Sequence, residues 1–582
     1  MAIDLKNSVL VKKLQPVRGH FLGAFGFSLF INLLMIVPAL YMLQVFDRAV
    51  GSGSTPTLLM LTLIMVGLLA AMGALDWVRG QIMVRASAAI DKILAEPVFE
   101  ASFRQSLRTG GISSSPQSVI DLIGLRQFLA GPGLNAFFDT PWVPVYIVIM
   151  FLFHTYFGLL ALFCVALLGG LSFASQRMTT GNLSEANKLA MWANNYTTRN
   201  LRNAEVIESM GMIADVRERW MQRNRQVVGL QAEASDTATA FTSSSKALRI
   251  MLQSLALGVG AYLAINLEIS PGMMIAGSIL LGRALAPVDQ LVGAWKGLQN
   301  AREQFTRLDD LLTKFPEDPE RMELPAPQGA LSVEKITVSP PGGSTPVLRG
   351  VDFELPAGVS LAVIGPSAAG KSSLLRAILG LWPVMLGAVR LDGASMDKWD
   401  RGMLGPYLGY LPQDIELFDG TISENIARFG EIDSEKIVTA SRLAGVHEMV
   451  LRLPEGYDTV IGQSGGALSA GQRQRVGLAR AVYGQPKLVV LDEPNSNLDD
   501  LGEAALREAL LALKALGTTL IIVSHRPSVL SVVDKILILR DGQVVDFGDA
   551  EAITRRVQQA TTKRPAALSQ TVSVPVPGIG QA

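Results

Sequence analysis

Gly365-Pro-Ser-Ala-Ala-Gly370-Lys371-Ser372 decides the fold of the second half of this chain. It follows an apolar run, Leu361–Ile364, and leads into a helical pattern beginning Ser373-Leu-Leu. Strand, glycine-bearing loop and helix in that order are the context in which G-x-x-x-x-G-K-[ST] holds phosphate. The glycines let backbone N–H groups close around phosphate oxygens, and the helix N-terminus adds partial positive charge. Gly365, Pro366, Ser367, Ala368, Ala369, Gly370, Lys371, Ser372 and Ser373 are therefore the predicted phosphate site. Lys371 is expected to reach the β- and γ-phosphates, and the Ser372 hydroxyl to ligate Mg²⁺.

Downstream, Leu488-Val-Val-Leu491-Asp492-Glu493 is an apolar strand ending in two carboxylates. The last residues of a buried parallel strand lie at the carboxyl edge of the sheet, where the phosphate loop also lies. Asp492 is expected to hold Mg²⁺ through water, and Glu493 to act as the general base on the attacking water. Alone, the segment reads as an ordinary strand end with solvated acids. Its place after the phosphate loop favours the catalytic reading.

Between these lies Leu468-Ser469-Ala470-Gly471-Gln472, opening a helical run that contains Arg473 and Arg475. Here the chain resembles the ATP-binding cassette (ABC) family, whose signature is usually LSGGQ; Ala470 stands where a glycine is usual. The resemblance assigns further roles. Gln413, in Leu411-Pro-Gln-Asp414, matches the Q-loop glutamine, a Mg²⁺ ligand beside Ser372 and Asp492. Ser496 and Asp499, in Ser496-Asn-Leu-Asp499, match the D-loop, and His525 after Leu520–Val523 matches the switch histidine. A lone histidine is by default a satisfied core residue; the ordered array gives it a role. The implied catalytic set is Glu493, His525, Gln413 and Lys371, with ATP and Mg²⁺ as ligands. In the family, Ser469, Ala470, Gly471 and Gln472 complete the nucleotide site of a second subunit, which implies a homodimer. One departure stands out: Pro340, in Val338-Ser-Pro-Pro-Gly342, occupies the position of the usual adenine-stacking aromatic.

Upstream the texture changes. Hydrophobic residues make up 49% of the 582 and mean hydropathy is +0.33, a surplus expected to sit in a membrane. Lys plus Arg balance Asp plus Glu at 51 each, which leaves no electrostatic footprint for nucleic acid. The single cysteine, Cys164, lies in an apolar run and reads as a small hydrophobe. Apolar stretches at about 21–46, 57–77, 137–154, 156–175, 249–266 and 270–288 are long enough to be read as spans. The last two carry Asn266, Glu268 and Arg283 and are weaker, so a five-helix count stays open. The first stretch is too long for a cleavable signal.

The connections 47–56, 154–156 and 266–270 are short, whereas 78–136 and 176–248 are long and rich in Arg and Lys. That asymmetry predicts cytoplasmic N- and C-termini. The long excursions read as helices continuing beyond the bilayer. Asp121–Phe128 and Asn203–Met212 within them are candidate docking helices. Asn32, Gln44, Asp47 and Arg48 are candidates for a polar route, against interfacial anchoring for the last two; Pro141, Trp142 and Pro144 read as a kink. Residues 313–330, with their prolines, read as a linker between a membrane domain (1–312) and a nucleotide-binding domain (331–555). Residues 556–582 read as a disordered tail.

The fold class expected is multidomain. An all-α six-helix transmembrane domain, like that of type I ABC exporters, precedes an α/β P-loop ABC nucleotide-binding domain. Fusion in that order resembles exporters. Pro38-Ala-Leu-Tyr-Met-Leu-Gln-Val-Phe-Asp-Arg48 and Leu491-Asp-Glu-Pro-Asn-Ser-Asn-Leu-Asp499 resemble, more narrowly, the type I secretion ATPases of the metalloprotease and lipase branch. That resemblance implies export of an unfolded polypeptide bearing a C-terminal signal. It also implies a bacterial inner-membrane location, with a periplasmic membrane-fusion protein and an outer-membrane channel as partners. The alternatives are a lipid or small-molecule exporter of the same architecture and a tethered regulatory ATPase. The latter needs neither six spans nor long cytoplasmic excursions.

Overall fold

The computed structural model describes residues 8–110, 116–201, 203–317, 321–462 and 468–562. The chain forms two compact units, one made of residues 1–105 and 113–317 and the other of residues 106–112 and 318–582.

The first unit is helical. A short α1 (Val9–Lys13) precedes α2 (Arg18–Leu34) and α3 (Val37–Gln44), which a π-helical turn at Val45–Val50 extends. Then come α4 (Thr55–Arg108), α5 (Gln117–Ala130), α6 (Pro132–Asp139), α7 (Val143–Phe153), α8 (Thr155–Leu201), α9 (Ala204–Ser209), α10 (Ile213–Ile265) and α11 (Pro271–Lys314). Among the described residues, six helical stretches are long and apolar enough to cross a membrane: 15–50, 55–108, 133–153, 155–201, 213–265 and 271–314. Four of them far exceed their apolar windows. At 1.5 Å per residue the 54 residues of α4 span about 80 Å, against a hydrocarbon core of about 30 Å. Most of such a helix has no bilayer to lie in, as the polar periodic excursions predicted. A 3₁₀ turn at Thr140–Trp142 separates α6 from α7, where Pro141 and Pro144 predict a kink.

Two sequence readings are corrected here. Asp121–Phe128 is the middle of α5, and its Asp121, Leu122 and Leu125 are buried. Asp121 accepts bonds from Arg307 Nε (2.7 Å) and Nη2 (2.8 Å) on α11, so this face is used inside the first unit. The second candidate, α9 and its flanks, does leave Val206, Met210, Met212 and Ile213 exposed. Two of the four polar-route residues are also committed elsewhere, while Gln44 is half-buried and Arg48 exposed. Asn32 is 2% exposed and donates to Asp139 Oδ1 at 2.7 Å. Asp47 caps α11 by accepting from Ser270 Oγ (2.5 Å) and Gly272 N (2.9 Å).

The second unit is α/β. β1 (Leu331–Val338), β2 (Leu348–Leu355), β4 (Val384–Leu391) and β5 (Ala394–Ser395) form an antiparallel sheet in the order β2-β1-β4-β5. β3 (Ser360–Ile364), β6 (Leu408–Leu411), β9 (Leu488–Asp492), β10 (Thr519–Val523), β11 (Lys535–Arg540) and β12 (Gln543–Asp549) form a second sheet, ordered β12-β11-β3-β10-β9-β6. β7 (Gly420–Thr421) and β8 (Val460–Ile461) make a small ladder. In the six-stranded sheet only the β11–β12 pair is antiparallel. All five residues of β9 and of β10 are buried, the continuous apolar texture of a parallel sheet covered on both faces. Each such Val, Leu or Ile contributes about 1.5–3 kcal/mol relative to exposure.

The segment read as a linker is tied down at its end. Backbone N–H groups of Gln328 (2.6 Å), Gly329 (3.1 Å) and Ala330 (2.9 Å) all donate to the Asp392 carboxylate. At the far end a helix runs over Ala550–Thr562, so 556–562 are helical rather than disordered. Residues 563–582 of the predicted tail lie outside the described residues.

Candidate nucleotide site

Strands β3, β10 and β9 are sheet neighbours in parallel register, with Val523 opposite both Val363 and Asp492. Their carboxyl ends therefore emerge side by side. They carry Gly365, Ser524–His525 and Asp492–Glu493 respectively, so three loops distant in sequence share one edge.

The phosphate loop fills the gap between β3 and α12 (Lys371–Ile378). Gly365 has no room for a side chain: a Cβ there would lie 2.1 Å from the Leu539 carbonyl oxygen. Gly370, the N-cap of α12, has φ +98°, a conformation that costs glycine little. Pro366, Ser367 and Ala368 are exposed, Ala369 is buried, and Ser372 and Ser373 are half-buried at the helix start. Lys371 is 8% exposed; its Nζ donates to the carbonyls of Gly365 (2.7 Å) and Pro366 (3.0 Å). An ammonium has three donors, so its charge is poised over the loop with one donor in hand.

Asp492 is buried, and its Oδ1 has no hydrogen-bond partner among the described residues. Burial pushes its pKa up; the Ser372 hydroxyl alongside opposes this, Glu493 adds to it, and Arg376 and Lys371 also oppose it. A buried carboxylate oxygen without a donor is costly unless a cation meets it. The residues therefore fit Mg²⁺, with Asp492 and Ser372 as the protein ligands. Gln413, the third predicted ligand, is exposed. It lines a cleft of about 200 Å³ with Asp414, Ile415, Ala470, Arg473 and Asn497.

Glu493 is half-buried, with φ +49°. For a non-glycine residue that precedes proline this backbone is strained, at a cost of order 1–3 kcal/mol. Its N–H donates to Val523 O at 3.0 Å, tying it to β10. His525 is exposed on the loop after β10. Next to it, Ser524 Oγ donates to Asn495 Oδ1 at 2.9 Å. Ser496 is exposed, and Asp499 caps the helix Asp500–Ala515 by accepting from Gly502 N at 2.9 Å.

The signature residues start the helix Ala470–Val482. Ser469 and Gln472 form a capping box: Gln472 N donates to Ser469 Oγ (3.3 Å) and Ser469 N to Gln472 Oε1 (2.8 Å). The Ser469 hydroxyl accepts in this box and keeps its own proton to donate to an anion. Within the chain this helix start faces Asn497 and the Gln413 cleft. Sequence reasoning missed Gln474, one turn further on, which is 2% exposed and bonded to the Glu493–Asn497 turn. Its spacing of three from Gly471 places it on the same helix face, but its partners lie 19 and 23 residues away in sequence.

Comparison with known proteins agrees with this geometry. Residues 348–496 match the ABC transporter family and residues 21–285 the ABC transporter transmembrane region. The type I secretion system ATP-binding protein PrsD of Rhizobium meliloti (strain 1021) is 44% identical over 553 residues, 95% of each chain. The chain belongs to the ABC transporters, among the type I secretion ATP-binding proteins. The cyclolysin secretion/processing ATP-binding protein CyaB of Bordetella pertussis is more distant, at 27% identity over 90% of this chain and 74% of its own. In fold, this ABC transporter matches a bacterial Atm1-family ABC exporter solved with ATP bound, with a TM-score of 0.79. That match covers 95% of this chain and 99% of the other at 21% identity. This transporter is thus a multi-pass membrane protein that hydrolyses ATP.

The membrane unit also holds a cavity of about 430 Å³ between α8, α10 and α11. Gln176, Thr179, Thr242, Gln299, Phe173 and Trp295 give its wall both polar and apolar character. The Thr179 and Thr242 hydroxyls donate back to their own helices, which leaves oxygen lone pairs to accept.

Proposed function

We propose that this chain is the inner-membrane ATPase of a type I secretion apparatus. It drives export of unfolded polypeptides that carry a C-terminal signal. It acts as a homodimer with cytoplasmic termini, alongside a periplasmic membrane-fusion protein and an outer-membrane channel. The observation that carries the reading is 44% identity to PrsD over 95% of both chains, together with a full set of catalytic groups at one sheet edge.

In this reading the phosphate loop and Lys371 bind and orient the triphosphate. Ser372, Asp492 and Gln413 hold Mg²⁺, which when bound neutralises charge on the phosphate oxygens. Glu493 takes the proton of the attacking water, and His525 completes the polar edge facing the γ-phosphate. Ser469, Gly471 and the helix start behind them close the site of the partner copy, with Ser496 and Asp499 at the junction. The homodimer is supported by the match to the ABC transporter family, which spans the signature residues Ser469–Gln472.

The test is secretion in a heterologous cell given this chain, a fusion protein, a channel and a reporter with a C-terminal signal. Reporter is expected in the medium with the intact chain and absent with Glu493→Gln or Lys371→Ala. Retention of reporter inside cells, while the purified protein hydrolyses ATP and is stimulated by lipid or drug, would favour a small-molecule exporter instead.

A further inference from the structure

We propose that Gln474 is the positioning residue that aims the Glu493 carboxylate at the attacking water, linking the geometry of the base to the signature helix. The proposal rests on the reading of Glu493 as general base. It begins from strain: Glu493 has φ +49° and is followed by proline, a conformation its residue type disfavours, and the one local bond that holds it is the turn bond from Ser496 N to the Glu493 carbonyl at 3.2 Å. A residue held in such a region persists only where its surroundings over-determine it.

Gln474 supplies that determination. Its Nε2 donates to the Pro494 carbonyl and, at 3.4 Å, to the Glu493 carbonyl. Its Oε1 accepts from Asn497 N at 3.0 Å. One buried amide thus grips two consecutive carbonyls and the N–H of Asn497, the residue that follows the turn closed by Ser496 N on the Glu493 carbonyl. The Glu493 carbonyl belongs to the Glu493–Pro494 peptide, so fixing it fixes the ψ of Glu493 and, with φ, the direction in which its side chain leaves the backbone. A second bond tethers the turn from the other side, from Ser524 Oγ to Asn495 Oδ1.

The other end of the brace is the signature helix. Gly471, three residues before Gln474 and on the same face, lies so close to the turn that a Cβ there would be 2.8 Å from the Asn497 carbonyl oxygen. The first turns of this helix and the 493–497 segment therefore form one packed piece. A shift of Ser469–Gly471 carries Gln474, and Gln474 carries the Glu493–Pro494 peptide. Alignment of the base thereby depends on where the signature helix sits.

The experiment uses the full-length protein in lipid nanodiscs, as the intact chain and as Gln474→Met, Gln474→Glu, Glu493→Gln and Gln474→Met/Glu493→Gln. Methionine removes the donors and the acceptor at similar volume. Glutamate keeps the acceptor, loses the donors and turns an oxygen toward two carbonyls. Both single variants are expected to lose about 10²-fold in kcat, with KM for ATP within about twofold. A residue acting only through Glu493 has nothing left to act on once that carboxylate is gone, so the double variant is expected to match Glu493→Gln alone. Full kcat in both Gln474 variants overturns the proposal, as does a double variant whose loss is the product of the two single losses. If Gln474→Met does not fold, the near-isosteric Gln474→Glu decides by the same split. Undiminished hydrolysis in Glu493→Gln would sink the reading of the base itself, a result distinct from failure at Gln474 alone.

Discussion

At the scale of single residues, Asp492 shows how a fold stores a ligand site as an electrostatic cost. Its pKa is raised chiefly by burial, so the folded chain binds that proton more tightly than the unfolded chain does. The contribution to stability is fully present below the unfolded pKa and is lost as pH rises through the folded value. Mg²⁺ needs the ionised form, so the proton competes with the metal above the ordinary carboxylate range. Mg²⁺-dependent ATP affinity of the purified protein is expected to weaken on acidification from neutrality, at higher pH than an exposed aspartate would give. In Asp492→Asn both the affinity and this pH dependence are expected to be lost. Titration of nucleotide binding with and without Mg²⁺ across that range checks the claim.

The placement of Asp492, Glu493 and Lys371 at adjoining strand ends could be read from the sequence because strand ends and the phosphate loop are local patterns. Gln474 could not, because its function depends on a turn that folding brings to it from 19 residues or more away. Arg428 escaped for the same reason. It is half-buried, at φ +57°, and its guanidinium donates to carbonyls of Gly405, Leu408, Arg480, Ala481 and Tyr483, none of them near it in sequence.

At the scale of elements, the first membrane helices are pinned by a buried polar cluster. Arg79 on α4 donates to Ser28 Oγ on α2 (2.8 Å) and to Asp139 Oδ1 at the end of α6 (3.0 Å). Asn32 joins the same carboxylate, and Tyr146 on α7 donates to Asn32 O at 2.8 Å. Arg79 Nη2 also donates to the exposed Asp76 carboxylate at 2.7 Å, so removing the buried partner Asp139 leaves Arg79 that one exposed acid, at a cost below the about 3–5 kcal/mol of a wholly uncompensated buried charge. Asp139→Ala is therefore expected to lower the thermal unfolding temperature of the purified protein markedly. Arg79→Met/Asp139→Leu is expected to recover much of that loss, because the buried pair leaves together and the acid that remains, Asp76, is exposed. Equal losses in the two variants would show that the pair does not carry the effect.

The number and order of the membrane helices were legible, because long apolar windows are a strong signal. Their ends were not, since polar periodic segments continue a helix without announcing where it stops. The α5 error has a physical cause as well: an amphipathic stretch shows that a face is buried, and does not show against what.

At the scale of the whole molecule, the proposed dimer makes a prediction that a single chain cannot satisfy. Lys371→Ala disables a phosphate loop and leaves the signature intact; Ser469→Arg disables the signature and leaves the loop intact. If each site takes its loop from one copy and its signature from the other, a mixed dimer contains one site with both parts sound. Two inactive variants co-expressed and purified together by distinct tags are then expected to regain ATP hydrolysis. Mixed dimers that remain inactive would place loop and signature of each site on the same chain.

The length of α4 has a mechanical corollary. A helix is stiff along its axis, and about 50 Å of this one extends past the thickness of a hydrocarbon core. Pivoted at the bilayer, such a rod is a lever arm: each degree of tilt moves its far tip by about 1 Å. Pro97, well inside the helix, removes one N–H donor and softens the rod there. Leverage and compliance are thus written into the same helix, and where it bends decides how much of a tilt at one end arrives as displacement at the other.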